Sequence, residues 1–169
     1  MSLIAENKSK LIPKRLLTLI KCLKICYKEY INLNNSSQIN LHATAVSVAN
    51  KGLLILGASG SGKSKLALAM LTHGAKLISD DQVLLKTDTD KIILSAPCSI
   101  IGKIEARYIG ILNVPAVSAQ LFLAIDLDKD EPERLPKKKF IEYLGKRIQL
   151  LNGKNIKGLE YSLIQLLKN

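Results

Sequence analysis

One segment of the sequence combines closely spaced glycines with a lysine and a serine, residue types that together bind phosphate. It consists of Gly57, Ala58, Ser59, Gly60, Ser61, Gly62, Lys63 and Ser64, and it fits the pattern G-x-x-x-x-G-K-[ST]. Glycines let the backbone curl so that several N–H groups point at one anion, and a helix N-terminus adds positive potential. In this pattern the lysine reaches the β- and γ-phosphates and the serine hydroxyl binds Mg²⁺. The segment therefore predicts a site for a nucleoside triphosphate.

Phosphoryl transfer also requires carboxylates, because one helps to hold Mg²⁺ and another can take a proton from a hydroxyl. Two places in the sequence offer a carboxylate directly after an apolar run: the pair Asp80 and Asp81, and the single Asp126. Asp126 is the better match to a strand that ends in a metal-binding aspartate, since it follows five apolar residues, 121–125. The pair instead offers two adjacent carboxylates, one for the metal ion and one for the proton. Spacing alone leaves both alternatives open.

The elements that must position these residues are predicted to mix helix and strand. Leu53–Leu56 is an apolar strand before the glycine loop, Lys65–Leu71 is the start of a helix after it, and residues 75–79 form the next strand. Other predicted elements are strands at residues 41–49, 83–86, 91–95 and 120–126 and a short helix at residues 158–168. Because hairpins accompany a strand–loop–helix unit, we expect an α/β fold with a mixed sheet and flanking helices.

Residues 1–40 are expected to form a basic N-terminal extension, and residues 41–169 the phosphate-loop domain. Apolar residues recur at helical spacing from Lys14 to Tyr30, with basic residues between them, and Asn32–Asn40 has the Asn/Ser composition of a linker. Such a helix packs on a core or a partner, or it makes peripheral contact with a membrane surface. No apolar run is long enough for a transmembrane segment and no secretory signal is recognisable, so we expect a cytoplasmic protein.

The net charge of +11 is concentrated at the two ends of the chain, and the middle is nearly neutral. Basic flanks favour an acidic partner, although a lysine-rich composition accounts for the same charge without one. We do not expect nucleic acid to be that partner. There are no paired aromatic residues on a basic stripe, and no helicase-type motif follows the phosphate loop.

Four blocks in the same order resemble the catalytic, C-terminal domain of the HPr kinase/phosphorylase family. They are Leu41–Thr44, Gly57–Ser64, Gly74–Val83 and Ile104–Leu112, the last of which resembles the signature L-E-[IV]-R-G-[IL]-G-[IVL]. The family phosphorylates a serine of HPr, a phosphocarrier of the sugar phosphotransferase system, and its longer members reverse the reaction by phosphorolysis. The resemblance implies an HPr kinase/PEP carboxykinase-like nucleotide-binding core in the short, single-domain form typical of alphaproteobacteria. It also implies ATP and Mg²⁺ as cofactors and a homo-oligomer.

The resemblance further implies roles for single residues. Asp80 corresponds to the general base that takes the proton from the substrate serine, and Asp81 would support the metal or orient Asp80. Ser64 and Glu105 correspond to the Mg²⁺ ligands. Lys63 corresponds to the lysine that holds the β- and γ-phosphates.

His42 and Arg107 also correspond to residues of the family pattern, whereas Tyr108 departs from it. His42 matches a histidine near the phosphates, and Arg107 matches the signature arginine, which could stabilise charge in the transition state or position Glu105. Tyr108 stands where the signature has glycine. If the backbone there requires positive φ, tyrosine is strained, which argues against phosphorolysis more than against the kinase reaction.

The predicted function is that of an ATP-dependent serine kinase, with or without phosphorylase activity, that acts on an HPr-like phosphocarrier. Two other classes remain open. One is a nucleotide-binding regulatory module with little catalysis, which the departure at Tyr108 favours. The other is a P-loop kinase for a small molecule, whose ATP turnover would respond to a metabolite and not to a phosphocarrier.

Overall fold

The computed structural model describes residues 38–169, and the predicted helix between Lys14 and Tyr30 lies outside the described residues. The strands are β1 (Gln38–Leu41), β2 (Thr44–Val48), β3 (Lys51–Leu56), β4 (Lys76–Ser79), β5 (Val83–Asp88), β6 (Lys91–Ser95), β7 (Lys103–Ala106), β8 (Gly110–Asn113), β9 (Ala119–Asp126), β10 (Lys139–Tyr143) and β11 (Lys146–Asn152). The α-helices are α1 (Lys63–Thr72) and α2 (Leu159–Lys168), and Cys98–Ile100 forms a 3₁₀ turn.

Most of the predicted elements are confirmed. The strand–loop–helix unit is β3 followed by α1, the predicted hairpins are β2–β3 and β5–β6, and the apolar run before Asp126 is β9. One assignment was wrong: Gln38–Asn40, predicted as the end of the linker, belongs to strand β1. The backbone of β1 pairs with β5 from Gln38↔Lys86 to Leu41↔Val83. The hairpin β10–β11 was not predicted at all.

The long strand β9 lies at the centre of the main sheet. It runs parallel to β3 on one side, and on the other side its first residues pair with β6 and its last residues with β11. Strand order across the sheet is β1-β5-β6-β9-β3-β2-β4, with β10 attached through β11. Because β3, β9 and β11 are parallel and in register at Leu56, Asp126 and Asn152, their carboxyl ends meet at one edge, where the phosphate loop begins.

Each face of this sheet contributes to a separate apolar core. Alternate side chains of a strand point to opposite faces, so the β3 residues Leu53 and Ile55 lie on one face and Leu54 on the other. The first face packs against α1 and α2, and the second against side chains of β5, β6 and the β10–β11 hairpin. Within residues 38–169, no helix is long and apolar enough to span a membrane.

Strands β7 and β8 form a small antiparallel sheet of their own beside the phosphate loop. On β7, Ile104 and Ala106 are buried, and Ile104 belongs to the core that includes α1. All four residues of β8 are exposed. One face of β7 therefore attaches the hairpin to the core, while β8 is left at the surface.

Truncation of Leu123→Ala in the central strand is expected to lower the free energy of unfolding by about 2–5 kcal/mol, the cost of a cavity in a well-packed core. Leu123 is buried between β3 and β11, whereas Leu135 is 89% exposed and provides the matched control. Urea denaturation of both variants measures the difference. Equal effects of Leu123→Ala and Leu135→Ala would contradict the central position of β9.

Candidate functional site

The glycine loop connects β3 to α1 through backbone conformations that favour glycine. Gly57, Gly60 and Gly62 have φ of 145°, 83° and 98°, in the range that L side chains rarely adopt. A Cβ atom on Gly57 would also lie 2.5 Å from the Oγ atom of Ser61. The loop is therefore the tight turn that the sequence pattern predicts, and a larger residue at position 57 would displace Ser61.

Lys63 is the first residue of α1, and its side chain folds back over the loop. It is 6% exposed. Its Nζ atom donates hydrogen bonds to the carbonyl oxygens of Gly57 at 2.8 Å and Ala58 at 2.9 Å, and it lies 3.3 Å from Nε2 of His42. The structure brings His42 and Lys63 together beside the phosphate loop.

Asp80 follows β4 and is 4% exposed. Its Oδ1 atom accepts hydrogen bonds from the hydroxyls of Thr44 at 2.7 Å and Ser64 at 2.8 Å. Its Oδ2 atom accepts one from the backbone N–H of Glu105 at 3.1 Å. Both oxygens are thus engaged within the protein, and one holds the serine that is predicted to bind Mg²⁺.

The neighbouring Asp81 differs from Asp80 in both exposure and conformation. It is exposed, has φ of 66°, and lines a cavity of about 580 Å³. Non-glycine residues with positive φ cost about 1–2 kcal/mol and persist where the surrounding structure demands them, often at functional sites. The cavity lining also includes His42, Gly60, Lys63, Ser64, Glu105, Arg107, Tyr108 and Ile109.

The turn of the β7–β8 hairpin forms one wall of this cavity. Glu105 and Arg107 are both exposed and line the cavity. Tyr108 has φ of 68° and is fully exposed. The glycine position of the signature thus has the positive φ that the sequence comparison anticipated, and tyrosine occupies it here.

The carboxylate of Asp126, the alternative to the aspartate pair, forms its contacts in the turn after β9. Its carboxylate forms an ion pair with Lys129 at 3.3 Å and accepts the backbone N–H of Asp128 at 2.9 Å. Burial, and secondarily the Asp126 carboxylate, raises the pKa of the Tyr143 hydroxyl. Of the two alternatives, only the aspartate pair contacts Ser64 and the cavity.

One residue at the phosphate loop was missed by the sequence reasoning. The Oδ2 atom of Asp128 accepts a hydrogen bond from the backbone N–H of Ala58 at 2.6 Å. No motif could have revealed it, because Asp128 follows Asp126 in an ordinary turn after β9. Its contact with the loop exists only because β9 and β3 are paired in the sheet.

The side-chain oxygen atoms around the cavity show whether the site suits Mg²⁺. Within residues 38–169, no three His, Cys, Asp or Glu side chains form a cluster that could enclose a metal ion. Mg²⁺ is usually held by one or two protein groups together with substrate phosphates, so such a cluster is not needed. The Ser64 hydroxyl, Glu105 and Asp81 supply oxygen atoms around one cavity beside the glycine loop, which fits that mode of binding.

Comparison with known proteins identifies the family of this chain. Residues 34–126 match the family model described as the HPr Serine kinase C-terminal domain. The chain belongs to the HPr serine kinase family. The predicted membership and the predicted nucleotide-binding core are both confirmed.

Individual members of the HPr serine kinase family show how much of the chain is shared. The HPr kinase/phosphorylase of Clostridium tetani is 38% identical over 88 residues, which cover 52% of this chain and 29% of that protein. That of Malacoplasma penetrans is 31% identical over 134 residues, which cover 75% of this chain and 43% of that protein. The chain therefore spans less than half the length of these curated relatives.

A solved structure in the same family resembles this chain over most of its length. The Hpr(Ser) kinase/phosphatase from Coxiella burnetii is 26% identical and superposes with a TM-score of 0.67. The similarity covers 78% of this chain and 89% of that one. The mixed sheet and few helices described above are thus the fold of an HPr serine kinase.

The positive φ of Tyr108 generates a stability prediction. The free energy of unfolding of Tyr108→Gly should exceed that of Tyr108→Ala by about 1 kcal/mol. Both variants lose the exposed ring, but only alanine has a Cβ atom that makes positive φ unfavourable. Thermal denaturation of the two variants provides the measurement. If alanine is the more stable, the backbone at position 108 does not have positive φ in solution.

Proposed function

We propose that the protein is an ATP-dependent serine kinase that acts on an HPr-like phosphocarrier. One observation carries this proposal: a single cavity joins the phosphate loop to Asp81, Glu105 and Arg107 in a member of the HPr serine kinase family. A phosphate loop alone is compatible with many reactions, whereas the added carboxylates and arginine are groups that phosphoryl transfer to a hydroxyl uses. The relatives from Clostridium tetani and Malacoplasma penetrans are HPr kinase/phosphorylases, which supports HPr as the acceptor class.

The loop residues 57–64 and the start of α1 would hold the phosphates of ATP. Backbone N–H groups at a helix N-terminus bind anions, and Lys63 adds a full positive charge. Ser64 and Glu105 would hold Mg²⁺, and Asp81 lines the same cavity. The ion would neutralise charge on the β- and γ-phosphates. Arg107, exposed at the hairpin turn, could stabilise charge on the transferred group.

For the proton transfer we propose that the two aspartates exchange the roles implied by the resemblance. Asp81 faces the cavity with an exposed carboxylate, whereas both oxygens of Asp80 already accept hydrogen bonds. A general base must be able to reach the hydroxyl whose proton it takes. The serine proton would pass to Asp81 as the serine oxygen bonds to the γ-phosphorus, and ADP leaves when the bond to the bridging oxygen breaks.

Asp80 then has a different task, which is to orient the Ser64 hydroxyl. The Ser64 proton points to Asp80 Oδ1, so the serine oxygen keeps its lone pairs available for a metal ion. Thr44 donates to the same Oδ1 atom and is fully buried. The pair Thr44 and Asp80 would therefore fix the geometry of the Mg²⁺ ligand without contacting the acceptor.

The acceptor would approach over the β7–β8 hairpin. Tyr108 and Ile109 line the cavity and are 100% and 79% exposed, and Ile111 on β8 is 67% exposed. Exposed apolar side chains at the rim of a site are typical of a protein-binding surface. A protein acceptor fits such a rim better than a small metabolite does. We also propose a cytoplasmic location and a homo-oligomer, both of which rest on the family.

The test is transfer of labelled γ-phosphate from Mg-ATP to an HPr-like phosphocarrier. Wild type should label a carrier serine, and Lys63→Ala should abolish labelling. Asp81→Asn should lower kcat by roughly 10²–10⁴-fold, the usual contribution of a general base. Asp80→Asn should mainly raise the Mg²⁺ concentration that is required. If Asp80→Asn abolishes transfer at saturating Mg²⁺ and Asp81→Asn does not, Asp80 is the base.

The same assay separates the other functional classes. Nucleotide binding without labelling of any phosphocarrier would favour a regulatory module with little catalysis. ATP turnover that a metabolite stimulates and a phosphocarrier does not would favour a small-molecule kinase. Either result would overturn the proposed function.

The role of the hairpin makes a separate kinetic prediction. Ile109→Ser should raise the KM for the phosphocarrier about tenfold or more and leave nucleotide affinity unchanged. A buried apolar side chain is worth about 1.5–3 kcal/mol, and about 1.4 kcal/mol corresponds to a factor of ten. Leu135→Ser is the matched control, because Leu135 is 89% exposed and does not line the cavity. Steady-state kinetics with the carrier as variable substrate measure the effect. An unchanged KM for Ile109→Ser would exclude docking at the hairpin turn.

A further inference from the structure

The peptide group between Gly57 and Ala58 is held by a charged side chain on each side. Its N–H donates to Oδ2 of Asp128 at 2.6 Å, and its carbonyl oxygen accepts a hydrogen bond from Nζ of Lys63 at 2.8 Å. The N–H and C=O of a trans peptide point in opposite directions. One rigid peptide plane therefore connects the carboxylate of Asp128 to the ammonium group of Lys63.

Asp128 is itself fixed by the sheet. The backbone N–H of Leu127 donates to the carbonyl of Leu56 at 3.0 Å, which extends the β3–β9 pairing by one residue. The N–H of Asp128 donates to the carboxylate of Asp126 at 2.9 Å, and the N–H of Gly153 donates to the Asp126 carbonyl at 2.8 Å. The Asp128 carboxylate thus reaches the phosphate loop from a turn that hydrogen bonds hold on two sides.

We propose that Asp128 is a positioning residue for Lys63 and acts through the peptide between residues 57 and 58. A hydrogen bond to a carboxylate is stronger than one between neutral groups, and a peptide whose N–H is so engaged has a more polarised carbonyl. Asp128 therefore orients the Gly57 carbonyl toward Lys63 and strengthens that contact. The match to the family model ends at residue 126, so Asp128 lies outside it.

The indirect connection has a chemical advantage over a direct ion pair. A carboxylate in contact with Lys63 would compete with phosphate for the ammonium group. Among the ion pairs between residues 38 and 169, none includes Lys63. Asp128 can position the lysine while leaving its charge for the nucleotide. This inference rests on the proposed function only in requiring that the loop binds a nucleotide.

The first experiment measures the affinity of the full chain for Mg-ATP by displacement of a fluorescent nucleotide. Asp128→Ala should weaken binding about tenfold, the loss expected for one hydrogen bond to a charged group. Asp128→Asn keeps an acceptor oxygen and should stay within about threefold of wild type. Asp130→Ala is the control, because Asp130 lies in the same turn but pairs with Lys154 at the surface.

The second experiment asks whether the effect passes through Lys63. In a Lys63→Met background, Asp128→Ala should change nucleotide affinity by less than about twofold, because coupled residues are not additive. Thermal denaturation confirms that each variant folds. An Asp128→Ala variant with wild-type or tighter affinity overturns the proposal, as does a tenfold effect that persists without Lys63. A wild-type chain that binds nucleotide but labels no carrier would overturn only the kinase assignment.

Discussion

A single buried carboxylate holds together three elements that surround the phosphate loop. Asp80 accepts hydrogen bonds from Thr44 on β2, from Ser64 on α1 and from the backbone of Glu105 on β7. A carboxylate that is 4% exposed is costly unless hydrogen bonds satisfy it, so the three donors cannot be moved independently. The phosphate loop, the β4 end and the β7–β8 hairpin are therefore fixed relative to one another by the need to satisfy Asp80.

Two residues near Asp80 have a strained, left-handed backbone conformation. Asp81 directly follows Asp80 and has φ of 66°, and Tyr108 at the hairpin turn has φ of 68°. Both residues line the cavity, and neither conformation is cheap for a side chain with a Cβ atom. The cost is tolerated because neighbouring elements are anchored: Asp80 by its three donors, and the hairpin by Ile104 in the core. The left-handed backbone at Asp81 accompanies the change from the buried Asp80 to an exposed residue that lines the cavity.

The pairing of strands in the central sheet determines which charged residues lie next to the phosphate loop. Parallel strands end at the same edge, so the residues after β3 and β9 become neighbours although they are far apart in sequence. Asp128 reaches the Gly57–Ala58 peptide for this reason. The arrangement places a negative charge behind the loop and positive charges from Lys63 and Arg107 at its cavity side, which suits an anionic ligand.

The sequence by itself determined what depends on residues close together in the chain. The glycine loop, its strand and helix, the two hairpins and the central strand were all predicted, because spacing and turn residues act over a few positions. The β10–β11 hairpin was not predicted, because it has no fully buried face. Only one of its residues, Leu150, is buried. Tertiary structure decided which aspartate meets Ser64 and brought Asp128 to the loop. Those contacts join residues 16 and 70 positions apart, and only the packing of helix and strands in the fold brings such residues together.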